Sequence, residues 1–206
     1  VYFGGDSAGG QIAGQFIAMQ TNYEYLDFVN SNSPVIFFDV IDRDSLHGIL
    51  FFCALFNFED MINPPPDAIK LPMRKIGEAY FKTSNVKDKD LYIASITDKI
   101  NSNFPPSFVT DGNKDSLEWE AKDFVQRLTE LGVPVDAVFY EKSEAELPHV
   151  YQFFMNKPEA LKTYQKVLEF LKRPYTQETL DDDFENWCGL GTLLLDNAAN
   201  TSNIQN

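Results

Sequence analysis

The chain has 206 residues, a hydrophobic fraction of 44% that includes 18 Phe, and a formal net charge of −14 at pH 7. This is enough chain for one domain with a sizeable, well-filled core. The charge argues against a phosphate-binding surface and sets nucleic acid and anionic membranes aside as partners. No apolar run approaches the roughly 18 residues needed to span a bilayer. Cys53 and Cys188 do not make a disulfide framework, so a reducing, cytoplasmic setting is the default.

In chain order, Val1-Tyr2-Phe3 reads as a strand end that runs straight into Gly4-Gly5-Asp6-Ser7-Ala8-Gly9-Gly10. Gly5-x-Ser7-x-Gly9 fits the strand–turn–helix pattern of a nucleophile elbow. Such a serine sits in a strained backbone conformation, and glycines on both flanks are expected because a side chain there would collide with the strand or helix. The turn would place the hydroxyl at a helix N-terminus, where the Ala8 backbone N–H can donate to a developing oxyanion. Ile12, Ala13, Phe16 and Ile17 fall on one helical face, and Gly9, Gly10, Ala13 and Gly14 are small enough for that helix to lie close on a sheet.

Asn30-Ser31-Asn32-Ser33-Pro34 is a loop, and Val35-Ile36-Phe37-Phe38 reads equally as a short strand or as an apolar segment under a loop. Leu46 to Phe56 is a continuous apolar run without alternation, as in a strand buried on both faces of a parallel sheet. Asn63-Pro64-Pro65-Pro66 breaks the chain. Helical patterns follow over Met73 to Lys82, with Ile76, Tyr80 and Phe81 as its apolar face, and over Asp90 to Ile100; they form either a cap over a site or an ordinary crossover pair. Pro105 to Thr110 reads as a strand ending at Asp111. Ser116 to Leu131 reads as an amphipathic helix, with Ser116 as candidate cap and Gly132 as its stop. Val133 to Tyr140 is the last strand, and Pro158 to Arg173 the last helix. The alternation predicts an α/β fold, a mostly parallel sheet with flanking helices. From Pro174 the composition turns acidic and polar, so the expected domains are 1–173 and a tail at 174–206.

A serine hydroxyl needs a histidine to take its proton and a carboxylate to orient that histidine. The chain has two histidines. His47 precedes a buried strand, at its wrong end, whereas His149 follows the last strand, where the order Ser–acid–His requires it. Asp111, directly after a strand, and Asp115, one turn on, compete for the acid.

Gly5-Asp6-Ser7-Ala8-Gly9-Gly10 resembles the elbow of the hormone-sensitive-lipase-like esterases of the α/β-hydrolase superfamily. Phe104-Pro105-Pro106-Ser107-Phe108-Val109-Thr110-Asp111 is similar to that family's segment ending in the catalytic aspartate, which implies Asp111 rather than Asp115. Gly112-Asn113 departs from the family's Pro-Leu after the acid. His149-Val150-Tyr151 departs from its His-Gly-Phe, and Ala94-Ser95-Ile96 matches a Ser-Pro segment without the proline.

The resemblance implies a Ser7–His149–Asp111 triad that hydrolyses short to medium acyl esters through an acyl-enzyme, with a small-molecule ester as partner and no call for a metal or organic cofactor. An amidase such as an arylformamidase uses the same triad, and a non-catalytic small-molecule binder shares the fold. The resemblance further implies that the chain is the C-terminal half of the fold, with the strands beside the elbow strand and a His-Gly-Gly-type oxyanion loop lying upstream. The 206-residue piece alone is therefore expected to be poorly stable and nearly inactive.

Overall fold

The computed structural model describes residues 1–32, 41–63, 73–141 and 143–173. Packing sets Val1–Lys172 apart as one unit and Arg173–Asn206 as another; every element below belongs to the first. Val35–Phe38, the Pro64-Pro65-Pro66 break, Cys188 and the 174–206 tail lie outside the described residues.

Four strands, β1 (Tyr2–Asp6), β2 (Gly48–Phe52), β3 (Ser107–Thr110) and β4 (Val135–Val138), form a sheet in the order β1-β2-β3-β4 with every pair parallel. Parallel neighbours cannot be joined by a tight turn, so each connection is a helical crossover. Helices α1 (Ala8–Thr21) and α2 (Tyr23–Asn32) lead from β1 to β2. Helices α3 (Phe58–Ile62), α4 (Met73–Phe81) and α5 (Lys89–Ala94) lie between β2 and β3, α6 (Glu118–Glu130) joins β3 to β4, and α7 (Pro158–Lys172) follows β4.

Side-chain alternation along β2 decides which helices cover which face. Phe51 points to α1 and α6: its ring is 5.2 Å from Phe124 and would meet a Cβ at Gly14. Phe56 stacks on Phe124 at 4.1 Å, and Phe104 completes the cluster. On the opposite face, Gly48 lies under the Phe170 ring of α7, and Phe108 packs 5.9 Å from the same ring. The run from Leu46 to Phe56 is thus a doubly covered strand, although its extended part is only Gly48–Phe52.

Three expectations need correction. The buried face of α1 is Gly10, Gln11, Gly14, Ile17 and Ala18, and Ile12 is 66% exposed. The helix sits so close to the sheet that its glycines, not its largest apolar residues, set the contact. In α4, Ile76 and Tyr80 are exposed while Gly77 is buried against Met61 and Ile62, for the same reason. The helix that begins near Asp90 ends at Ala94 instead of reaching Ile100, and the Ser95 hydroxyl turns back to accept from the Phe58 N–H (2.9 Å) while donating to the Leu91 carbonyl (2.9 Å).

Glu120 is buried on α6, and its Oε2 accepts from the backbone N–H groups of Phe56 (2.8 Å) and Asn57 (3.0 Å) just beyond β2. Burial pushes its carboxyl up to about 8, against the pull of those two bonds. The unfolded chain ionises first, so stability falls as pH rises between the ordinary carboxylate range and about 8. Glu120→Gln keeps an acceptor and cannot ionise. Its Tm is expected to match the parent near pH 5 and to exceed it at pH 8–9 by at least ~2–4 °C, the shift about 1 kcal/mol gives at this size. A difference in Tm that does not change with pH, measured by thermal melts, would refute this.

Candidate active site

The strand register assembles the site. Asp6, Phe52, Thr110 and Val138 stand in one row at the C-terminal edge of the sheet. The next residue along three of these strands is Ser7, Cys53 and Asp111, so residues remote in sequence become neighbours. Ser7 donates its backbone N–H to Phe52 (2.9 Å), and Cys53 donates to Thr110 (2.8 Å), continuing the ladder one step past the strands.

Ser7 has φ 51° and ψ −123°, the strained elbow expected between β1 and α1, and Ala8 opens α1 beside it. A Cβ on Gly5 would lie 2.3 Å from the Gly9 carbonyl carbon, and one on Gly10 would lie 2.5 Å from the Ala54 Cβ. A Cβ on Gly9 would meet nothing within 4 Å, so only one of the two flanking glycines is sterically required by its neighbours. Among the described residues, Ser7, Cys53 (φ 50°), Asp115 (φ 47°) and Val150 (φ 58°) are four of the five non-glycine residues in the left-handed region. Such strain persists only where surrounding contacts over-determine it.

His149 reaches Ser7 from the loop after β4, with Nε2 2.9 Å from Oγ. Burial holds its imidazole below the ordinary 6.5, opposed by the nearby Asp6 charge, so the neutral form that can accept a proton prevails at pH 7. Asp111 is fully buried. Its Oδ1 accepts from the N–H groups of Gly112 (2.7 Å) and Leu117 (3.3 Å) and from the Ser116 hydroxyl. Burial pushes its carboxyl up to about 6, and those donors hold it down. Ser116 Oγ lies 3.2 Å from His149 Nδ1, so the carboxylate reaches the imidazole through the serine. Ser116 does not cap α6 as expected: the capping position falls to Leu117, which makes no side-chain cap bond.

The two departures after Asp111 hold the histidine loop. A Cβ at Gly112 would lie 2.3 Å from the Leu147 carbonyl oxygen and 2.6 Å from that of Pro148, the residue before His149. The Asn113 side chain donates to the carbonyls of Tyr140 (3.0 Å) and Ala145 (3.2 Å) and accepts from the Leu147 N–H (2.9 Å). Beyond the histidine, the Val150 N–H donates to Cys53 Sγ (3.2 Å). The Tyr151 hydroxyl lies between Thr110 (2.6 Å) and Thr163 (2.7 Å), tying the loop to β3 and α7.

The rivals stay outside. Asp115 is exposed on the turn after Asp111. His47 is exposed at the opposite end of β2, where its backbone N–H donates to the Val1 carbonyl (2.8 Å). Donor atoms of Cys53, Asp111 and His149 lie within 4.8 Å of one another, the spacing of a metal cluster. Burial, with Asp111 alongside, pushes the Cys53 thiol up to about 12, so it keeps its proton at neutral pH. Sequence reading missed Ser116, Gly112, Asn113 and Cys53 as site residues. Gly112 and Asn113 carried a signal as departures from the family's residues after the acid, and Ser116 was read only as a helix cap.

The parallel sheet, the elbow and the histidine loop define an α/β hydrolase. The chain belongs to the family whose profile is described as alpha/beta hydrolase fold, matched over residues 1–152, and the resemblance to its hormone-sensitive-lipase-like members stands. Among solved structures it is similar to esterase B from Lactobacillus rhamnosis HN001, at 18% identity and a TM-score of 0.59 over 93% of this chain and 55% of that one. It is also similar to an esterase from the bacterial hormone-sensitive lipase family, at 20% identity and a TM-score of 0.55 over 83% and 52%. At these identities the likeness is one of fold. The chain spans about half the length of these solved relatives. No curated protein sequence matches it. Among the described residues no helix is long and apolar enough to cross a membrane.

Proposed function

We propose that this chain carries the nucleophile, acid and base of a serine carboxylesterase acting on short to medium acyl esters. The observation that carries this reading is the 2.9 Å contact between Ser7 Oγ, on its strained elbow, and His149 Nε2. Ser7 attacks the ester carbonyl as His149 takes its proton, and the Ala8 N–H donates to the oxyanion that forms. His149 then protonates the leaving alcohol. Water, activated by the same imidazole, adds to the acyl-enzyme, and collapse returns the acid and Ser7. Asp111 stabilises the imidazolium at both steps. The same reading takes residues 1–173 as the hydrolase domain, the C-terminal part of a longer one, with 174–206 appended to it.

A fluorophosphonate is expected to label Ser7 stoichiometrically. Esters from p-nitrophenyl acetate to butyrate are expected to turn over faster than an aryl formamide, with the longer parent well above the 206-residue chain. Faster formamide turnover would make the enzyme an amidase. No labelling of either form would make it a binder. Full ester turnover by the isolated chain would sink the proposal that part of the site lies upstream.

A further inference from the structure

We propose that Ser116 is a positioning residue: its hydroxyl stands between Asp111 and His149 and sets the imidazole tautomer that faces Ser7. This rests on the esterase reading above. The argument is an inventory of protons. A serine hydroxyl has one hydrogen and two lone pairs, and an ionised carboxylate only accepts. The contact between Ser116 Oγ and Asp111 Oδ1 therefore uses the serine's only hydrogen. The 3.2 Å contact with His149 Nδ1 must then run the other way, Nδ1–H donating to Oγ. With its hydrogen on Nδ1, the neutral ring has its lone pair on Nε2, where the Ser7 hydroxyl lies 2.9 Å away. The chain Nδ1–H···Oγ–H···Oδ1 then runs in one direction, with each hydrogen used once. When Nε2 gains the Ser7 proton, the positive ring is held by the Asp111 charge through this hydroxyl, and no proton leaves Nδ1.

Two independent features place Ser116 for this task. It stands one residue before the capping position of α6, which Leu117 occupies, and its hydroxyl contacts Asp111 and His149. The turn that delivers it passes through Asp115 at φ 47° and is tied to the histidine loop by the bond from the Lys114 N–H to the Leu147 carbonyl (3.0 Å). Asp111 Oδ2 is buried without a hydrogen-bond partner, so the serine is joined to the one carboxylate oxygen that is engaged.

The test compares Ser116→Ala and Ser116→Thr with the parent. Ser116→Ala is expected to lower kcat on p-nitrophenyl butyrate ~10–100-fold with KM little changed, the loss that follows from one unmet buried partner. Asp6, Asp111 and Cys53 are the titratable groups around the imidazole. Without the link to Asp111 the imidazolium is less favoured, so the acid limb of kcat/KM moves to lower pH. The low-field proton resonance of His149 Nδ1–H is expected to disappear. Ser116→Thr keeps a hydroxyl and is expected to restore all three. If Ser116→Ala does not fold, Ser116→Cys, a poor donor of similar shape, takes its place. A parent-like kcat, or a fall in kcat without movement of the acid limb or the resonance, would overturn the assignment. A parent that resists fluorophosphonate sinks the esterase reading instead, and the resonance then still tests the Ser116 bond.

Discussion

Ser7→Ala and His149→Ala are each expected to lower kcat on p-nitrophenyl butyrate by about 10⁵–10⁶-fold, because nucleophile and base act as one unit. KM is expected to change little, since neither side chain has a large surface to offer the ground-state ester. The double variant is expected to be no worse than the poorer single variant: once Ser7 is gone, the imidazole 2.9 Å from it has no proton to take. Fluorophosphonate labelling is expected to vanish in Ser7→Ala and to slow sharply in His149→Ala. Steady-state kinetics of the three variants check this. Losses that add across the pair, or substantial ester turnover without Ser7, would mean that the two residues do not act together and that the chemistry lies elsewhere.

The second large effect needs no change to any reacting group. Gly112→Ala would place a methyl 2.3 Å from the Leu147 carbonyl and 2.6 Å from that of Pro148. Both obstacles are backbone, and His149 is the next residue, so the loop must retreat and take the imidazole with it. A displacement of about 1 Å at a reacting group costs ~10² in rate. Forced overpacking adds about 1–3 kcal/mol of instability. We therefore expect kcat/KM to fall at least ~100-fold while the protein stays folded with a lowered Tm. Activity close to that of the parent would show that the loop yields freely and that Gly112 does not hold the histidine in place.

These two variants mark the boundary of what was legible in the chain. Ser7 was readable because an elbow has a local cause: a strand, a turn at positive φ and a helix within a few residues. The proposal of His149 as base came by elimination, since the only other histidine sits before a buried strand, not after one. Even near the elbow, local reading had limits. The apolar face drawn on α1 was displaced because Gly10 and Gly14 let the helix settle onto Ala54, Phe51 and Ile96.

Strand–helix alternation and the elbow were set by local patterns that any stretch of the chain carries within itself: uninterrupted apolar runs, glycine at a sharp turn, helical periodicity. The chain by itself therefore determined a parallel α/β fold and the sharp strand–turn–helix bend at Ser7, the residue proposed as nucleophile. Which groups touch was decided by register and loop closure. Thr110 pairs with Phe52, and Phe52 with Asp6, so Asp111, Cys53 and Ser7 share an edge. Asn113 and Gly112 then hold a loop some thirty residues further on against that edge. Ser116 is the clearest case: from its neighbours it reads as a helix cap, and only the return of His149 across the sheet gives its hydroxyl a second partner. A hydrogen bond between residues 33 apart has no local cause, so no local pattern announces it.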